Sequence, residues 1–187
     1  MPMEVVVVPH DPNWVSMFNA ESRLILDALG GNAIAAHHIG STAIPAVLAK
    51  PIIDMLIVVA DISLVDECNG NMQKLGYEVL GEYGIPTRRY FRKDNSSGTR
   101  THHAHVFPHG SSHVNRHIAF RDFLNSHPEW AAKYSDLKCE LVVKHADSFE
   151  RYHYGKSEFI KAIDELAANW INGEPSGERE TPESLRR

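Results

Sequence analysis

Short apolar runs along the first part of the chain predict strands. The continuous apolar character of residues 52–59 favours an interior position in a sheet for that segment. A turn at 93–98 predicts that the two strands beside it pair as a hairpin. Six segments predict strands in all, at 5–8, 34–39, 52–59, 77–80, 89–92 and 100–107.

Amphipathic segments predict the helices. A helix begins after Asp11-Pro12 and ends at Gly30-Gly31, with its apolar face formed by Trp14, Phe18, Leu24, Ile25 and Leu29. Another is expected over residues 61–75. After residue 110 the pattern becomes helical, with segments at about 112–125, 128–145 and 148–170, the last opened by a capping box from Asp147 to Glu150.

This segregation of strands and helices predicts an α+β fold, with a mixed sheet and a helical pack beside it. We expect one domain over 1–172, made of a sheet part at 1–110 and a helical part at 111–172. Residues 173–187 are polar and lack periodicity, which is typical of a disordered tail.

Composition narrows the function classes. The chain has 187 residues and a net charge of -5, which disfavours nucleic acid as a partner. Its two cysteines, Cys68 and Cys139, are expected to be free thiols in a reducing cytoplasm. The apolar run at 5–8 is too short for a signal peptide, and no run reaches a membrane-spanning length, so we expect a cytoplasmic protein.

Candidate chemistry begins with the turn that follows the strand at 34–39. Gly40 and Ser41 would let a phosphate approach backbone N–H groups closely. Lys50 follows, and Asp54 then lies on the next apolar strand, where a carboxylate can hold a divalent cation. This combination of turn, strand and acid favours phosphate chemistry.

The last predicted helix carries a lysine among apolar residues. Lys156 falls in the middle of the apolar face, so it must extend to solvent, pair with an acid, or contact an anionic ligand. A snorkelling lysine and a phosphate-binding lysine are both consistent with this pattern. The apolar face consists of Phe149, Tyr152, Phe159, Ile160, Ile163, Ala167 and Trp170.

Two histidines on one strand offer metal ligands. His103 and His105 alternate with His102 and Ala104, so they share one face of the strand at 100–107. They can bind a metal or a phosphate, or they can simply be satisfied by packing. His38, just before Gly40, has the same two interpretations.

Basic residues elsewhere are candidates for a phosphate clamp. Arg88, Arg89 and Arg92 surround a loop-to-strand edge, where they either protect the edge or bind phosphate through bidentate contacts. His117 and Arg121 are one helical turn apart on one face. Of these we select Arg89, His117 and Arg121, together with Gly40, Ser41, Lys50 and Lys156, as predicted phosphate or substrate ligands.

Taken together these motifs resemble the GrpB-like family, which is assigned to the nucleotidyltransferase (DNA polymerase beta-like) fold superfamily. The resemblance covers about residues 5–170. It rests on His38-Ile39-Gly40-Ser41-Thr42-Ala43-Ile44-Pro45, Lys50-Pro51-Ile52-Ile53-Asp54, Gly84-Ile85-Pro86 with Arg88-Arg89, Thr101-His102-His103-Ala104-His105-Val106, Arg116-His117-Ile118-Ala119-Phe120-Arg121-Asp122, and Tyr154-Gly155-Lys156-Ser157-Glu158-Phe159-Ile160.

The resemblance implies a mixed central sheet with a phosphate turn and a metal-binding acid on the next strand. In the superfamily that strand usually carries two acids, and a later strand carries a third. Asp54 matches the first, Leu56 stands at the second, and the strand with His103 and His105 has no acid. One aspartate with two imidazoles is a poor magnesium cage unless substrate phosphates and waters complete it.

Three functions are consistent with these residues. The preferred hypothesis is a metal-dependent nucleotidyl- or phosphoryltransferase acting on a small molecule. In it Mg²⁺ or Mn²⁺ binds Asp54, His103 and His105, and Asp54 and His105 are the catalytic pair. The second is a binding module for a nucleotide or phosphorylated metabolite that has lost turnover, suggested by Leu56. The third is a hydrolase with a transition metal on the same Asp and His residues.

Overall fold

The computed structural model describes residues 6–145 and 148–173, apart from the side chain of Phe149. Five strands form one mixed sheet in the order β1-β2-β5-β4-β3. β2 and β5 pair in parallel, whereas the other neighbours are antiparallel. The strands are β1 (Ala33–Ile39), β2 (Ile53–Val59), β3 (Tyr77–Val79), β4 (Arg89–Asp94) and β5 (Arg100–Pro108).

The helices follow the predicted segregation. The first helix precedes the strands and the next two connect β2 to β3, and the last four form the helical half of the chain. They are α1 (Asn13–Leu29), α2 (Ser63–Glu67), α3 (Asn69–Lys74), α4 (Ser112–Ser126), α5 (Pro128–Lys144), α6 (Phe149–Gly155) and α7 (Ser157–Ile171). None of the described helices combines the length and hydropathy needed to cross a membrane.

Different helices pack on the two faces of the sheet. Ile53, Met55 and Ile57 of β2 pack with the residues of α1, α2 and α3 in the largest core cluster. Leu56 and Val58 point to the other face, where they meet Val114 of α4. Because side chains alternate along a strand, Asp54 lies on this second face with Leu56. The candidate chemistry is therefore on the face that the helical half approaches.

The loop between β1 and β2 belongs partly to the helical core. Ile44 and Val47 are fully or almost fully buried among residues of α4, α5 and α7. Hydrophobic burial of these two side chains attaches the turn after β1 to the helical half. The turn and the helices therefore have fixed relative positions at the edge of the sheet face that carries Asp54.

Three predicted elements differ from the structure. Residues 6–8 form no strand and contribute one bridge from Val8 to Ala49, while Val5 lies outside the described residues. The predicted helix at 61–75 is two short helices that meet at Cys68. The predicted helix at 148–170 is interrupted at Lys156, which ends α6 and precedes α7.

The N-terminal boundary of α6 also differs. Ser148 is its N-cap, and its hydroxyl accepts a hydrogen bond from the N–H of Arg151. A serine cap is among the strongest choices for this position. Asp147, the predicted cap, lies outside the described residues, as do residues 174–187 of the predicted tail at 173–187.

Candidate functional site

Asp54, His103 and His105 converge on the sheet face that the helical half approaches, on the adjacent parallel strands β2 and β5. Asp54 lies opposite His103, and Leu56 lies opposite His105, in the parallel register of β2 and β5. The Asp54 Oδ1 and His103 Nδ1 atoms are 2.9 Å apart. One ligand atom from each of the three residues lies within 4.8 Å of the other two. A single cation could contact all three groups.

The local environment keeps two of these ligands, Asp54 and His105, in their metal-binding protonation states. Burial opposes ionisation of Asp54, but its hydrogen bond with His103 and the nearby positive groups outweigh burial and lower its pKa to about 2. Burial lowers the pKa of His105 to about 4, which the charge of Asp54 only partly offsets. At neutral pH the site therefore offers a carboxylate and an unprotonated imidazole.

Gly40 allows the carboxylate to reach its position. Its backbone φ is +69°, in the left-handed region that favours glycine. A Cβ atom at this residue would lie 2.4 Å from Asp54 Oδ2. The carboxylate therefore packs directly against the backbone of the turn, which places the predicted phosphate turn beside the predicted metal ligand.

A buried lysine that the sequence interpretation did not select holds this turn. Lys138 of α5 is 2% exposed. Its Nζ donates to Ser41 Oγ at 2.7 Å and to the carbonyl of Leu48, and it lies 4.1 Å from the centre of the Tyr134 ring. Burial lowers the pKa of Lys138 to about 6. The Ser41 hydroxyl thus accepts a hydrogen bond from α5, which fixes the position of the turn.

The sequence signal that Lys138 is buried is its helical spacing from other buried residues of α5. Lys138 shares the buried face of α5 with Ala131, Tyr134 and Leu141, at helical spacing. Ser135 lies one turn before it and accepts a hydrogen bond from the N–H of Leu48 at 3.0 Å. Two side chains of α5 therefore hold both polar groups of the Leu48 backbone.

Lys50 and Lys156 lie on the helical side of Asp54. The Lys50 Nζ is 5.5 Å and the Lys156 Nζ is 4.7 Å from the centre of the Tyr152 ring. Burial and the charge of Lys50 lower the pKa of Lys156 to about 8, while Asp54 acts in the opposite direction. Burial likewise lowers the pKa of Lys50. These two lysines are close enough to Asp54 and to each other to raise the local positive potential.

Arg88, rather than the predicted Arg89, lies beside the histidines. Its Nη1 is 3.5 Å from His105 Nδ1, and its guanidinium is 4.8 Å from the centre of the Tyr90 ring. Arg89 forms a two-point ion pair with Asp66 of α2, at 2.6 and 2.7 Å, on the opposite face of the sheet. The guanidinium beside the histidines is therefore that of Arg88 and not that of Arg89. Strand alternation explains the exchange, because neighbouring residues point to opposite faces.

Arg92 and Arg121 are engaged in other contacts. Arg92 pairs with Glu78 on the neighbouring strand. Arg121 donates to the carbonyl of His38 at 3.0 Å and to Asp122 Oδ1 at 2.7 Å. The structure thus gives Arg121 a role in holding the end of β1 against α4. His38 itself stacks on Phe18 of α1 and shares a hydrogen bond with Thr42. These contacts favour the interpretation of His38 as a packing residue over that of a ligand.

His117 of α4 joins the edge of the group. Its ring centre is 5.8 Å from that of His105. Its Nε2 lies 3.1 Å from Arg116 Nη2, and Arg116 also donates to Asp164 of α7 at 2.9 Å. Burial and the charge of Arg116 lower the pKa of His117 to about 3. His117 is thus a neutral imidazole whose Nε2 accepts from Arg116.

Leu56 occupies the position at which a second acid would be expected. It is 0% exposed and packs with Val58, Phe107 and Val114. Asp54 therefore supplies the carboxylate of the group without a second one beside it on β2. One carboxylate and two imidazoles suit Mn²⁺, Fe²⁺ or Zn²⁺ better than Mg²⁺, which prefers oxygen ligands. The donor set fits a divalent transition metal.

Comparison with known proteins places the chain in a family. The sequence profile of the family described as GrpB protein matches residues 4–166. The chain belongs to the GrpB family. The crystal structure of conserved protein GrpB from Enterococcus faecalis superimposes with a TM-score of 0.84 at 38% identity, over 89% of this chain and 99% of that one.

Among the GrpB-family relatives is UPF0157 protein YqkA of Bacillus subtilis (strain 168). It is 42% identical over 170 residues, which are 91% of this chain and 49% of YqkA. This chain therefore spans about half the length of that relative. YqkA carries a name that states no activity, so the family membership defines the fold and leaves the reaction to be argued from the site.

A more distant solved structure has a similar fold. A Cid1 poly(U) polymerase structure with Mg 3'-dATP bound superimposes with a TM-score of 0.51 at 12% identity, over 80% of this chain and 49% of that one. The likeness at this identity concerns the fold alone. It confirms the nucleotidyltransferase-like α+β sheet that the motifs implied.

Proposed function

We propose that this GrpB-family protein is a metal-dependent nucleotidyl- or phosphoryltransferase acting on a small molecule. One observation carries the proposal: Asp54, His103 and His105 converge within 4.8 Å on the face of a nucleotidyltransferase-like sheet. Lys50, Lys156 and Arg88 surround that group with positive charge. Cations around a metal site match the negative charge of a phosphate chain.

In the proposed reaction Asp54, His103 and His105 hold the divalent cation. When bound, the cation supplies Lewis-acid polarisation of the phosphoryl oxygens. We assign His105 to metal binding rather than to general-base catalysis. With a pKa of about 4 it is unprotonated at neutral pH, but it is a weak base for removing a proton from an acceptor.

The basic side chains would bind the phosphates. The Arg88 guanidinium would contribute positive charge beside His105, while its Nε and Nη2 atoms donate to the carbonyls of Glu82 and Tyr83. Lys50 and Lys156 would neutralise charge from the helical side. The backbone N–H groups of Gly40 and Ser41 would approach the phosphate from the edge of the sheet, beside the Asp54 carboxylate that packs against Gly40. His117 would order the His105 ring from α4.

Turnover of nucleoside triphosphates tests this proposal. Wild type is assayed with Mn²⁺ or Mg²⁺ against a panel of small-molecule acceptors, with product formation followed by mass spectrometry. We expect Asp54→Ala to lower metal-dependent turnover by about 100-fold or more, since it removes the carboxylate ligand. Asp66→Ala is the matched control, because Asp66 pairs with Arg89 on the opposite face. Absence of metal-dependent turnover across the panel would reject the transferase.

A water-only assay separates hydrolysis from transfer. The convergence of one aspartate with two histidines is also the arrangement that a metal-dependent hydrolase needs. In that case phosphate release occurs without an added acceptor, and protein purified without a histidine tag carries stoichiometric zinc, manganese or iron. Preference for an organic acceptor over water favours the transferase.

A binding module is the second candidate function. The buried Leu56 in place of a second acid favours it, because two-metal transfer needs several oxygen ligands. A module of this kind binds a nucleoside triphosphate saturably and retains that affinity in EDTA. Loss of binding on removal of the metal would reject this candidate.

A further inference from the structure

The loop between β3 and β4 presents an exposed tyrosine next to the candidate metal site. Tyr83 is 58% exposed, although it is a large aromatic residue. Its ring stacks on that of Tyr90, with centres 5.3 Å apart and planes inclined by 28°. Tyr90 is almost buried, and its ring centre lies 5.0 Å from His105 and 5.6 Å from His103. One face of the Tyr83 ring is therefore backed by Tyr90.

The loop holds Tyr83 in an unfavourable backbone conformation. Tyr83 has a φ of +44° and Thr87 a φ of +64°, both in the left-handed region that side chains other than glycine rarely adopt. Such conformations persist only where the surrounding structure enforces them, and they cluster at ligand-binding sites. The strain is a feature of the segment that positions the exposed ring.

Arg88 connects this loop to the candidate site. Its Nη2 donates to the Tyr83 carbonyl at 2.7 Å and its Nε to the Glu82 carbonyl at 3.2 Å. The same guanidinium lies 3.5 Å from His105 Nδ1. The Glu82 carboxylate accepts from the Thr87 N–H at 2.7 Å, which closes the loop. The position of the Tyr83 ring is thus coupled to the group that would bind phosphate.

We propose that the outward face of Tyr83 binds the planar base of a nucleoside phosphate by stacking. This inference rests on the proposed function, because the phosphates of the same ligand would lie at Asp54, His105 and Arg88. The base would be separated from His105 by both tyrosine rings, with centres 5.3 Å apart for Tyr83 and Tyr90 and 5.0 Å apart for Tyr90 and His105, so the ribose and the phosphate chain would run along the edges of the two rings. Stacking on an aromatic ring tolerates every base, so Tyr83 selects nucleosides over other phosphorylated compounds.

Binding of a nucleotide compared with its phosphate chain alone tests the inference. The affinities of ATP, GTP, CTP, UTP and inorganic tripolyphosphate are measured by isothermal titration calorimetry with Mn²⁺ present. We expect wild type to bind at least one nucleotide about 10-fold or more tighter than tripolyphosphate. Tyr83→Ala should remove this difference and leave tripolyphosphate affinity unchanged, which also shows that the site remains folded.

Two further variants sharpen the interpretation. Tyr83→Phe keeps the stacking ring and should keep the nucleotide preference. Tyr154→Ala removes a tyrosine of α6 that is 82% exposed, and it should also keep the preference. If wild type binds nucleotide no tighter than tripolyphosphate, or if Tyr83→Ala keeps the preference, the stacking role is wrong while phosphate binding stands. If neither ligand binds, the proposed function is wrong and the inference falls with it.

Discussion

At the scale of single residues, the candidate site depends on close contacts rather than on a long list of ligands. Asp54 packs against the backbone of Gly40 and shares a hydrogen bond with His103. These two contacts fix both oxygens of one carboxylate. A side chain at residue 40 would therefore act on the site directly, and not only on the conformation of the turn.

Gly40→Ala tests this contact. The new Cβ would lie 2.4 Å from Asp54 Oδ2, so the carboxylate must move away. We expect Mn²⁺ affinity, measured by calorimetry, to fall about 10-fold or more, together with a loss of roughly 1–3 kcal/mol in the free energy of unfolding from backbone strain. Gly110→Ala is the control, because Gly110 also has a positive φ, +82°, but open space at its Cβ position. Equal Mn²⁺ affinities in the two variants would contradict the contact.

At the scale of elements, α5 positions the turn that carries Gly40 and Ser41. Lys138 and Ser135 bind both polar groups of the Leu48 backbone, and Lys138 also reaches Ser41. A lysine buried without a carboxylate in contact costs free energy when charged, so it tends to lose its proton. The helix thereby connects the protonation state of one amine to the geometry of the turn.

Lys138→Met should change how stability depends on pH. The pKa of Lys138 is lowered to about 6 from 10.5, so between these values the unfolded chain binds a proton that the native protein does not. Stability contributed by this group therefore rises with pH across that window, by up to about 1.4 kcal/mol per pH unit. We expect the free energy of unfolding, measured by urea denaturation, to rise less between pH 6.5 and 9 in the variant than in wild type.

Lys133→Met provides the matched control for that measurement. Lys133 lies on the same helix but is exposed, with its Nζ over the Trp130 ring. If both methionine variants show the same pH dependence of unfolding as wild type, Lys138 is charged in the native state and its proposed behaviour is wrong.

At the scale of the whole molecule, several histidines in different parts of the structure are held neutral. Burial is the main cause of the lowered pKa of each: about 4 for His38, about 4 for His105 and about 3 for His117. They come from β1, β5 and α4, so the effect is distributed over the sheet and the helical half. Charging them would also place a cation near an arginine: Arg121 for His38, Arg88 and Arg116 for His105, and Arg116 for His117.

Acidification should therefore destabilise the protein before its carboxylates titrate. Between pH 6.5 and about 4 the unfolded chain protonates these histidines while the native state does not, so stability falls as the pH is lowered. Each contributes up to about 1.4 kcal/mol per pH unit. Urea denaturation at pH 7, 6 and 5 measures the slope, and His38→Gln should reduce it by about one proton. A constant free energy of unfolding from pH 7 to 5 would contradict this prediction.

Much of the fold followed from periodicity, whereas the contacts of the site followed from it only in part. Strand alternation placed His103 and His105 on one face, and the apolar run of β2 indicated an interior strand, as the sheet order shows. Alternation did not identify which of Arg88 and Arg89 faces the histidines, because that depends on where the preceding loop enters β4. The conformation of that loop depends on tertiary contacts from Arg88 and Glu82.

The break between α6 and α7 shows the same limit. The apolar face continues across residues 149–170, so periodicity alone predicts one helix. A Cβ at Gly155 would lie 2.4 Å from the Leu141 side chain, which shows how closely α6 approaches α5 at that point. Gly155, a glycine inside a helical pattern, was the sequence signal for a break. Its structural reason is the close contact with Leu141, which is 14 residues earlier in the chain.

The parallel pairing of β2 with β5 has a consequence for the order of assembly. β3, β4 and β5 can form antiparallel pairs with short connections, whereas β2 must join β5 across the whole intervening segment. Contacts that close long loops form late, because their entropic cost comes before their gain. Asp54 lies on β2, whereas His103 and His105 lie on β5, so the three ligands meet only when these two strands pair. We expect the metal ligands to come together in the last step of sheet formation, so that cation binding marks the completed fold and adds stability only to it.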